Sequence, residues 1–191
     1  GLHGSRIFLD MVSVGATINA ILAAVRAEGT TIIENAAREP EIIDLATFLN
    51  NMGAKIRGAG TETITIKGVE HLHKAFHEVI PDRIEAGTYI IIGALLGENL
   101  KIKRIIPTHV ESLTSKLIEA GADMEIKEDE IIINAKDKYK SVNVKTQPYP
   151  GFPTDLQQPI IPFLTRCRGT STVEETIYEN RFQNIYDTNR M

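Results

Sequence analysis

An internal repeat is the feature of this sequence that most restricts its fold. The segments that begin at Glu28 and Glu98 run in step, with a period of about 70 residues. Each contains a β-branched strand, a proline, a helix with apolar residues at helical spacing, a glycine and two short strands. Another apolar helix precedes each strand, over residues 16–27 and 85–96. This order predicts an α/β (α+β) protein in which helices pack against mixed sheets.

The two helices that follow the strands carry end signals. Thr108 and Glu111 have the spacing of a capping box at the start of the second helix, and Gly53 and Gly121 supply left-handed residues at the two helix ends. The apolar positions that predict the buried faces are Ile42, Leu45, Leu49 and Met52 in the first helix and Val110, Leu113 and Leu117 in the second.

A third copy of the repeat begins at Thr154. Its helix runs through residues 156–169, a strand follows within residues 171–182, and the chain stops where a second helix and hairpin would come. Residues 1–10 read like the end of an earlier strand. We therefore expect about two complete units and one truncated unit of a longer protein, with a domain boundary in residues 69–81, where the pattern breaks.

Composition argues against several functional classes. With a formal charge of −4 and singly scattered Lys and Arg, we expect no nucleic-acid partner. The longest apolar run, residues 89–96, is far shorter than the roughly 20 residues of a spanning helix, and no signal peptide opens the chain. The single cysteine, Cys167, excludes an internal disulfide and is expected to be a buried, inert thiol in the third-repeat helix. These features predict a soluble, cytoplasmic protein without a membrane partner.

Three histidines raise the question of a metal site. His73 and His77 are spaced by one helical turn and His71 is close by, but no carboxylate or cysteine completes a clear ligand set. We expect a solvated linker here, no metal and no other cofactor.

A short polar turn precedes the first helix of each repeat and leaves backbone N–H groups available to an anion. In residues 13–17, "SVGAT", the side chain of Ser13, the backbone of Val14 and Gly15 and the hydroxyl of Thr17 would suit a phosphate. Ser and Thr are also ordinary helix caps, which is the alternative interpretation.

In "PGFPTD", residues 150–155, prolines and a glycine fix the backbone around Asp155. This carboxylate would either cap the helix that follows or face a cleft, ready to accept a proton from a substrate hydroxyl. Two further pairs are undecided between lining a cleft and tying the repeats together through salt bridges. They are Arg83 with Glu85 and Arg181 with Glu179.

Five motifs occur in order along the whole chain: "SVGATIN", "ENAAREPEI", "PDRIEAGTY", "PYPGFPTDLQQP" and "ETIYENRF". Together they resemble the UDP-N-acetylglucosamine enolpyruvyl transferases. The resemblance implies two domains, each an inside-out α/β barrel built from repeated βαβαββ units, with the active site between them. Residues 1–78 would be the C-terminal part of the first domain, and residues 79–191 the N-terminal part of the second.

The resemblance also implies a reaction. The family transfers the enolpyruvyl group of phosphoenolpyruvate to the 3′-hydroxyl of UDP-N-acetylglucosamine and releases phosphate, which is the first committed step of peptidoglycan synthesis. Asp155 would bind the 3′-hydroxyl and act as its general base. Ser13, Val14 and Gly15 would bind the diphosphate, and the backbone of Ile177 would contact the sugar nucleotide.

One residue departs from the family pattern, and several are absent. Met11 occupies a position where many members have a lysine beside the diphosphate, so either diphosphate binding is weaker here or another cation, Arg6 or Arg38, compensates. The residues that grip and protonate phosphoenolpyruvate lie outside this sequence. We therefore expect the isolated chain to be inactive and, with apolar helix faces exposed, prone to self-association.

Two rival interpretations remain open at this stage. The related shikimate-pathway enolpyruvyl transferase would share the fold but would need a shikimate phosphate site. A noncatalytic repeat module would use "SVGAT" and Asp155 only as helix caps.

Overall fold

A computed structural model describes residues 1–190. The chain separates into two compact units, of which the first spans Gly1–Ile80 and the second begins at Pro81. Each unit has its own core of buried aliphatic side chains. Within the described residues, no helix is both long and apolar enough to cross a membrane.

The first unit contains a single mixed sheet in the order β1-β2-β4-β3. Strand β1 is parallel to β2, and the β2/β4 and β3/β4 pairs are antiparallel, which confirms the predicted hairpin. The elements are β1 (Arg6–Phe8), α1 (Val14–Ala24), β2 (Thr30–Glu34), α2 (Pro40–Asn51), β3 (Lys55–Arg57) and β4 (Thr63–Lys67).

Helix α2 begins where proline favours a helix start, because Pro40 occupies its first turn and needs no N–H partner there. Ile42, Ala46 and Leu49 form its buried face. The predicted Leu45 and Met52 are only partly buried at the margin of this core. Gly53, with φ of +98°, ends the helix as expected.

The second unit contains an antiparallel sheet in the order β5-β7-β6 and two short parallel pairs, β8 with β10 and β9 with β11. Its elements are α3 (Arg83–Leu96), β5 (Leu100–Lys103), α4 (Glu111–Glu119), β6 (Asp123–Ile126), β7 (Glu130–Asn134), β8 (Tyr139–Lys140), β9 (Val144–Lys145), α5 (Gln157–Thr165), β10 (Cys167–Arg168), β11 (Val173–Glu174) and α6 (Asn184–Thr188). The helix, strand, helix, hairpin order and the α/β class are confirmed. Barrel closure stays a prediction.

The capping box predicted from Thr108 and Glu111 is wrong. A 3₁₀ turn, Pro107–Val110, precedes α4, and no side chain caps either of these two helical segments. Ile106 is extended because it precedes a proline. Thr108 therefore lies inside the 3₁₀ turn that follows, and not at the N-cap of α4. The predicted left-handed Gly121 is confirmed, with φ of +96°.

The third repeat places Cys167 differently from expectation. Helix α5 ends at Thr165, and Cys167 begins strand β10, which pairs in parallel with β8. Its side chain is partly buried against the second core, and burial raises the pKa of the thiol. The thiol is therefore weakly ionised, as expected, but it lies on a strand instead of the helix.

The parallel pairs of the third repeat reproduce the geometry of the first. Strand β1 precedes α1 and pairs in parallel with β2, and β8 and β9 precede α5 and pair in parallel with β10 and β11. The segments before α1 and α5, which contain Ser13 and Asp155, therefore lie at equivalent points of the repeat, between a strand and the helix that leads to its parallel partner.

Candidate active site

Asp155 lies in a 3₁₀ turn, Thr154–Leu156, that leads into α5. The loop before it is closed by the hydrogen bond that Gln147 N donates to Phe152 O at 3.0 Å. A side chain at Gly151 would place its Cβ 2.5 Å from that of Gln147, so the loop has room only for glycine there. The carboxylate of Asp155 makes no capping hydrogen bond and is 53% exposed. The cap interpretation of Asp155 is therefore wrong.

Arg181 holds the Asp155 carboxylate. Its Nη2 donates to Oδ1 of Asp155 at 3.0 Å, and its Nη1 donates to the hydroxyl of Thr154 at 2.8 Å. The guanidinium also lies 5.0 Å from the ring centre of Tyr178. This fork fixes one oxygen of Asp155, while Oδ2 has no hydrogen-bond partner among residues 1–190 and remains available to a substrate.

Glu175 is the centre of the hydrogen-bond network behind Asp155. Its carboxylate accepts from the hydroxyls of Thr146 and Thr154, both at 2.9 Å, and from the N–H groups of Ile177 and Tyr178, at 2.8 and 3.1 Å. Burial opposes the charge, but the two N–H groups and two hydroxyls outweigh it and lower the pKa of Glu175. A charged carboxylate therefore joins the Asp155 turn to the segment that contains Ile177.

This network restricts how Ile177 can contact a ligand. Its N–H is already donated to Glu175, so only its carbonyl is open to the backbone contact expected from the sequence. The structure thus brings Asp155 and Ile177 into one network, through Arg181, Thr154 and Glu175.

An open cavity of about 390 Å³ lies in front of the Asp155 turn. Polar side chains provide most of its lining, which suits a hydrophilic ligand. Its residues are Asp155, Gln158, Tyr178, Glu179, Asn180, Arg181 and Gln183. Arg181 and Glu179 therefore both line this cavity, and Arg181 also makes the ion pair with Asp155.

The second group of predicted residues lies in the first unit, at the start of α1. Ser13 caps this helix, because its hydroxyl accepts from Ala16 N at 3.2 Å. The N–H groups of Val14 and Gly15 have no acceptor in the described part of the chain, and a Cβ at Gly15 would meet no atom within 4 Å. Capping and an exposed pair of N–H donors therefore coexist at this helix start.

The expected phosphate contact from the Thr17 hydroxyl is wrong. Thr17 is fully buried, and its hydroxyl donates to Ser13 O at 2.8 Å and accepts from Ala37 N at 3.0 Å. It joins the turn before α1 to the turn after β2. The Thr17 side chain thus holds the "SVGAT" loop through buried hydrogen bonds and is not exposed to a ligand.

The whole chain, residues 1–191, matches the family model for EPSP synthase (3-phosphoshikimate 1-carboxyvinyltransferase). The chain belongs to the EPSP synthase family. Within this family it is similar along its full length to proteins named UDP-N-acetylglucosamine 1-carboxyvinyltransferase 2, with 58% identity to that of Listeria monocytogenes serotype 4b and 60% to that of Lactiplantibacillus plantarum. The chain covers 45% of the length of each.

Solved structures of enolpyruvyl transferases confirm the fold of this family member. The enolpyruvyl transferase NikO from Streptomyces tendae matches with a TM-score of 0.83 and 27% identity over 92% of this chain and 42% of its own. An EPSP synthase from Acinetobacter baumannii matches with a TM-score of 0.63 and 20% identity over 97% of this chain and 44% of its own, which shows the shared fold alone.

Met11, the residue that departs from the resembled pattern, lies two residues before the Ser13 cap of α1 in this EPSP synthase family member. Met11 is 69% exposed and brings no charge to the start of α1. Both compensating cations that the sequence suggested have carboxylate partners. Arg6 forms two 2.6 Å hydrogen bonds with Glu34, and Arg38 lies 3.6 Å from Glu62.

The expectation of a solvated histidine linker is wrong for His77. Residues 71–82 form neither helix nor strand, so His73 and His77 do not share a helix face. His77 Nε2 lies 2.9 Å from Oδ1 of Asp44, its ring lies 5.2 Å from that of Phe48, and its side chain is only 13% exposed. The described residues contain no cluster of three or more His, Cys, Asp or Glu that could hold a metal ion.

The sequence interpretation missed Glu175, Thr146 and Thr154 as site residues. Glu175 is the first residue of "ETIYENRF", and Thr154 precedes Asp155 in "PTD". Glu175 binds the backbone N–H groups of Ile177 and Tyr178, two and three residues further along the chain. A carboxylate at this spacing before a loop is only a weak sequence signal for such a local hydrogen bond.

Proposed function

We propose that the full-length protein transfers the enolpyruvyl group of phosphoenolpyruvate to the 3′-hydroxyl of UDP-N-acetylglucosamine. Relatives of that name are 56–60% identical over the whole chain, whereas the matched EPSP synthases are 18–20% identical. This difference favours the sugar nucleotide over a shikimate phosphate as the acceptor. Under this proposal the protein is a cytoplasmic enzyme of peptidoglycan synthesis, and hence of cell shape and division.

Asp155 is the proposed general base, and its geometry is the observation that carries the proposal. The carboxylate does not cap a helix, Arg181 binds one of its oxygens, and Asp155 lines an open polar cavity. In the transfer, Asp155 accepts the proton of the 3′-hydroxyl while that oxygen bonds to the enol carbon of phosphoenolpyruvate, and the methylene carbon of the broken double bond takes a proton from an acid outside this sequence. The C–O bond to phosphate then breaks as the methyl carbon loses a proton, which restores the double bond. A noncatalytic module would need none of these features.

The proposed diphosphate contacts are the hydroxyl of Ser13 and the N–H groups of Val14 and Gly15. Two exposed donors at the start of an 11-residue helix, with the positive end of its dipole, favour an anion. The carbonyl of Ile177 is the proposed backbone contact to the sugar nucleotide. We further propose that residues 1–78 and 79–191 belong to the first and second enolpyruvyl transferase domains, and that the isolated chain is inactive and self-associates.

Phosphate release by the full-length protein tests this function. With phosphoenolpyruvate present, we expect release with UDP-N-acetylglucosamine and none with shikimate 3-phosphate. Asp155→Asn should lower kcat by about 10²–10⁴-fold, because the amide cannot accept the proton. Asp137→Asn, an exposed carboxylate of the same unit, is the matched control and should leave kcat unchanged. Turnover with shikimate 3-phosphate, or full activity of Asp155→Asn, would refute the proposal.

A further inference from the structure

The outer face of the first unit's sheet is strongly basic. Side chains of β2, β3 and β4 alternate between the core and the exposed face, with Ile56, Ile64 and Ile66 buried beneath the sheet. Ile32, Glu34 and Thr63 also point outward on these strands. We call the five outward residues grouped around Lys55 and Arg57 the basic face. They are Thr30, Lys55, Arg57, Thr65 and Lys67.

The strand register places like charges directly opposite each other on this face. Lys55 pairs with Lys67 across β3 and β4, and Thr30 lies on the other side of Lys67 across β2. Arg57 faces Thr65 in the next row. Directly opposed residues of an antiparallel pair have Cα atoms about 4.5–5.5 Å apart, so two ammonium groups in this position repel each other and destabilise the sheet.

No carboxylate neutralises the basic face. Among residues 1–190, Lys55, Arg57 and Lys67 form no ion pair, and the acid on the same side of the sheet, Glu34, is held by Arg6 through two 2.6 Å hydrogen bonds. Three cations therefore remain without counter-charges in a chain whose formal charge is −4.

The second unit shows that the repeat does not require this pattern. Strand β6 occupies the position of β3 in its own repeat, and its outward residues are Asp123 and Glu125. On the same sheet Lys103 lies 3.6 Å from Glu130, so positive and negative side chains are balanced there. The accumulation of positive charge is specific to the first unit, which points to a role beyond folding.

The edge of β3 is closed to another strand. The side-chain amide of Asn50 donates to Ile56 O at 3.0 Å and accepts from Ile56 N at 2.8 Å, which satisfies the outward backbone groups of this edge. Beside it lies a cavity of about 530 Å³, within the usual range of small-ligand sites. Its lining includes all five residues of the basic face. A blocked edge beside a cavity favours a small ligand over an added peptide strand.

We propose that the basic face binds a small oxyanion of the diphosphate class. Such an anion bridges Lys55 and Lys67 and removes their repulsion, while the planar guanidinium of Arg57 donates to a second pair of oxygens. The hydroxyls of Thr30 and Thr65 complete the set of donors. This site is separate in sequence from the start of α1 and independent of the proposed transferase activity.

Calorimetry and thermal unfolding of the full-length protein with inorganic pyrophosphate test this site. At low salt we expect saturable binding that raises Tm, above the effect of sodium chloride at equal ionic strength. Lys67→Gln should weaken this binding at least tenfold, and without ligand it should raise Tm because the opposed charges are gone. Lys101→Gln, an exposed lysine on the balanced sheet of the second unit, is the control and should change neither result.

Two further experiments distinguish binding at the basic face from binding elsewhere on the protein. Lys55→Asp introduces the residue type of Asp123 at the equivalent position, and we expect a folded protein that no longer binds pyrophosphate at the basic face. Adenosine diphosphate should compete if the face accepts a diphosphate within a nucleotide, and a lack of competition would assign it to the free anion. Pyrophosphate affinity that survives both lysine substitutions, or that is lost instead in Gly15→Ala, would overturn the proposal.

Discussion

Nη2 of Arg181 donates a hydrogen bond to Oδ1 of Asp155 across 3.0 Å, while the same guanidinium donates to the hydroxyl of Thr154. Two adjacent residues of one turn are thus fixed by a single side chain that follows them by 27 and 26 residues. A carboxylate on a short 3₁₀ turn would otherwise sample several rotamers. Arg181 therefore acts on Asp155 by orienting it, and orientation is a large part of what a general base requires.

Arg181→Gln is expected to lower kcat of the full-length protein by about 10–100-fold, because the amide cannot hold both Thr154 and Asp155 and the base loses its orientation. Arg168→Gln, an exposed arginine on β10, is the matched control. Steady-state kinetics with UDP-N-acetylglucosamine and phosphoenolpyruvate give the comparison. Equal kcat values for the two variants would show that Asp155 needs no positioning partner.

Glu175→Ala should lower the free energy of unfolding by about 1–3 kcal/mol, since it leaves the hydroxyl of the buried Thr146 and the partly buried N–H of Ile177 without their acceptor. The neighbouring Glu174→Ala removes an exposed ion pair with Lys145, at 2.9 Å, and should cost about 0–1 kcal/mol. Urea denaturation of both variants measures the difference. A loss no larger in Glu175→Ala than in Glu174→Ala would contradict the central position of Glu175.

The lowered pKa of Glu175 predicts how this contribution depends on pH. Because the folded-state pKa lies below the usual value of 4.5, the charged carboxylate stabilises the fold fully above that value. The contribution declines as the pH falls through the lower, folded-state pKa. We expect the difference in Tm between the unmodified protein and Glu175→Gln to be constant from about pH 6 to 7 and to shrink below about pH 4.5. A difference that grows on acidification would mean that Glu175 is protonated in the fold.

Local features of the fold were predictable from the sequence, and contacts between distant segments were not. The β3–β4 and β6–β7 hairpins follow from apolar alternation, and Gly53 and Gly121 end their helices because glycine adopts positive φ without strain. Glu175 was missed because its threonine partners lie 21 and 29 residues away along the chain.

For the candidate site as well, the sequence indicated some of its residues but not where their side chains point. The "PTD" and "SVGAT" motifs pointed to Asp155 and Ser13, but only coordinates show that Asp155 is not a cap and that Thr17 faces the core. From the sequence alone, an Asp or a Thr at a helix start is equally consistent with a helix cap. The direction of each side chain depends on the neighbouring loop, Ala37 for Thr17 and Arg181 for Asp155.

Gly15→Ala separates binding from stability at the start of α1. An added Cβ meets no protein atom within 4 Å, and alanine favours a helix over glycine, so stability should stay equal or rise by up to about 1 kcal/mol. The methyl group would stand beside the free N–H groups of Val14 and Gly15, and we expect UDP-N-acetylglucosamine to bind about tenfold more weakly. Ala23→Ser, on the exposed side of the same helix, is the control and should bind normally. Unchanged affinity in Gly15→Ala would remove this helix start from the proposed site.

His77 and Asp44 attach the segment after β4 to helix α2, through a 2.9 Å contact between side chains that are 13% and 14% exposed. Because the segment forms no helix or strand of its own, we expect His77→Ala to release it and to speed tryptic cleavage after Lys74 by about fivefold or more, which corresponds to a loss of about 1 kcal/mol. His71→Ala changes a neighbouring histidine that is 82% exposed and should leave the rate unaltered. Asp44→Ala should reproduce the effect of His77→Ala, since either change removes the same contact. Cleavage that is fast in His77→Ala but normal in Asp44→Ala would assign the attachment to the Phe48 ring contact instead of the His77–Asp44 hydrogen bond.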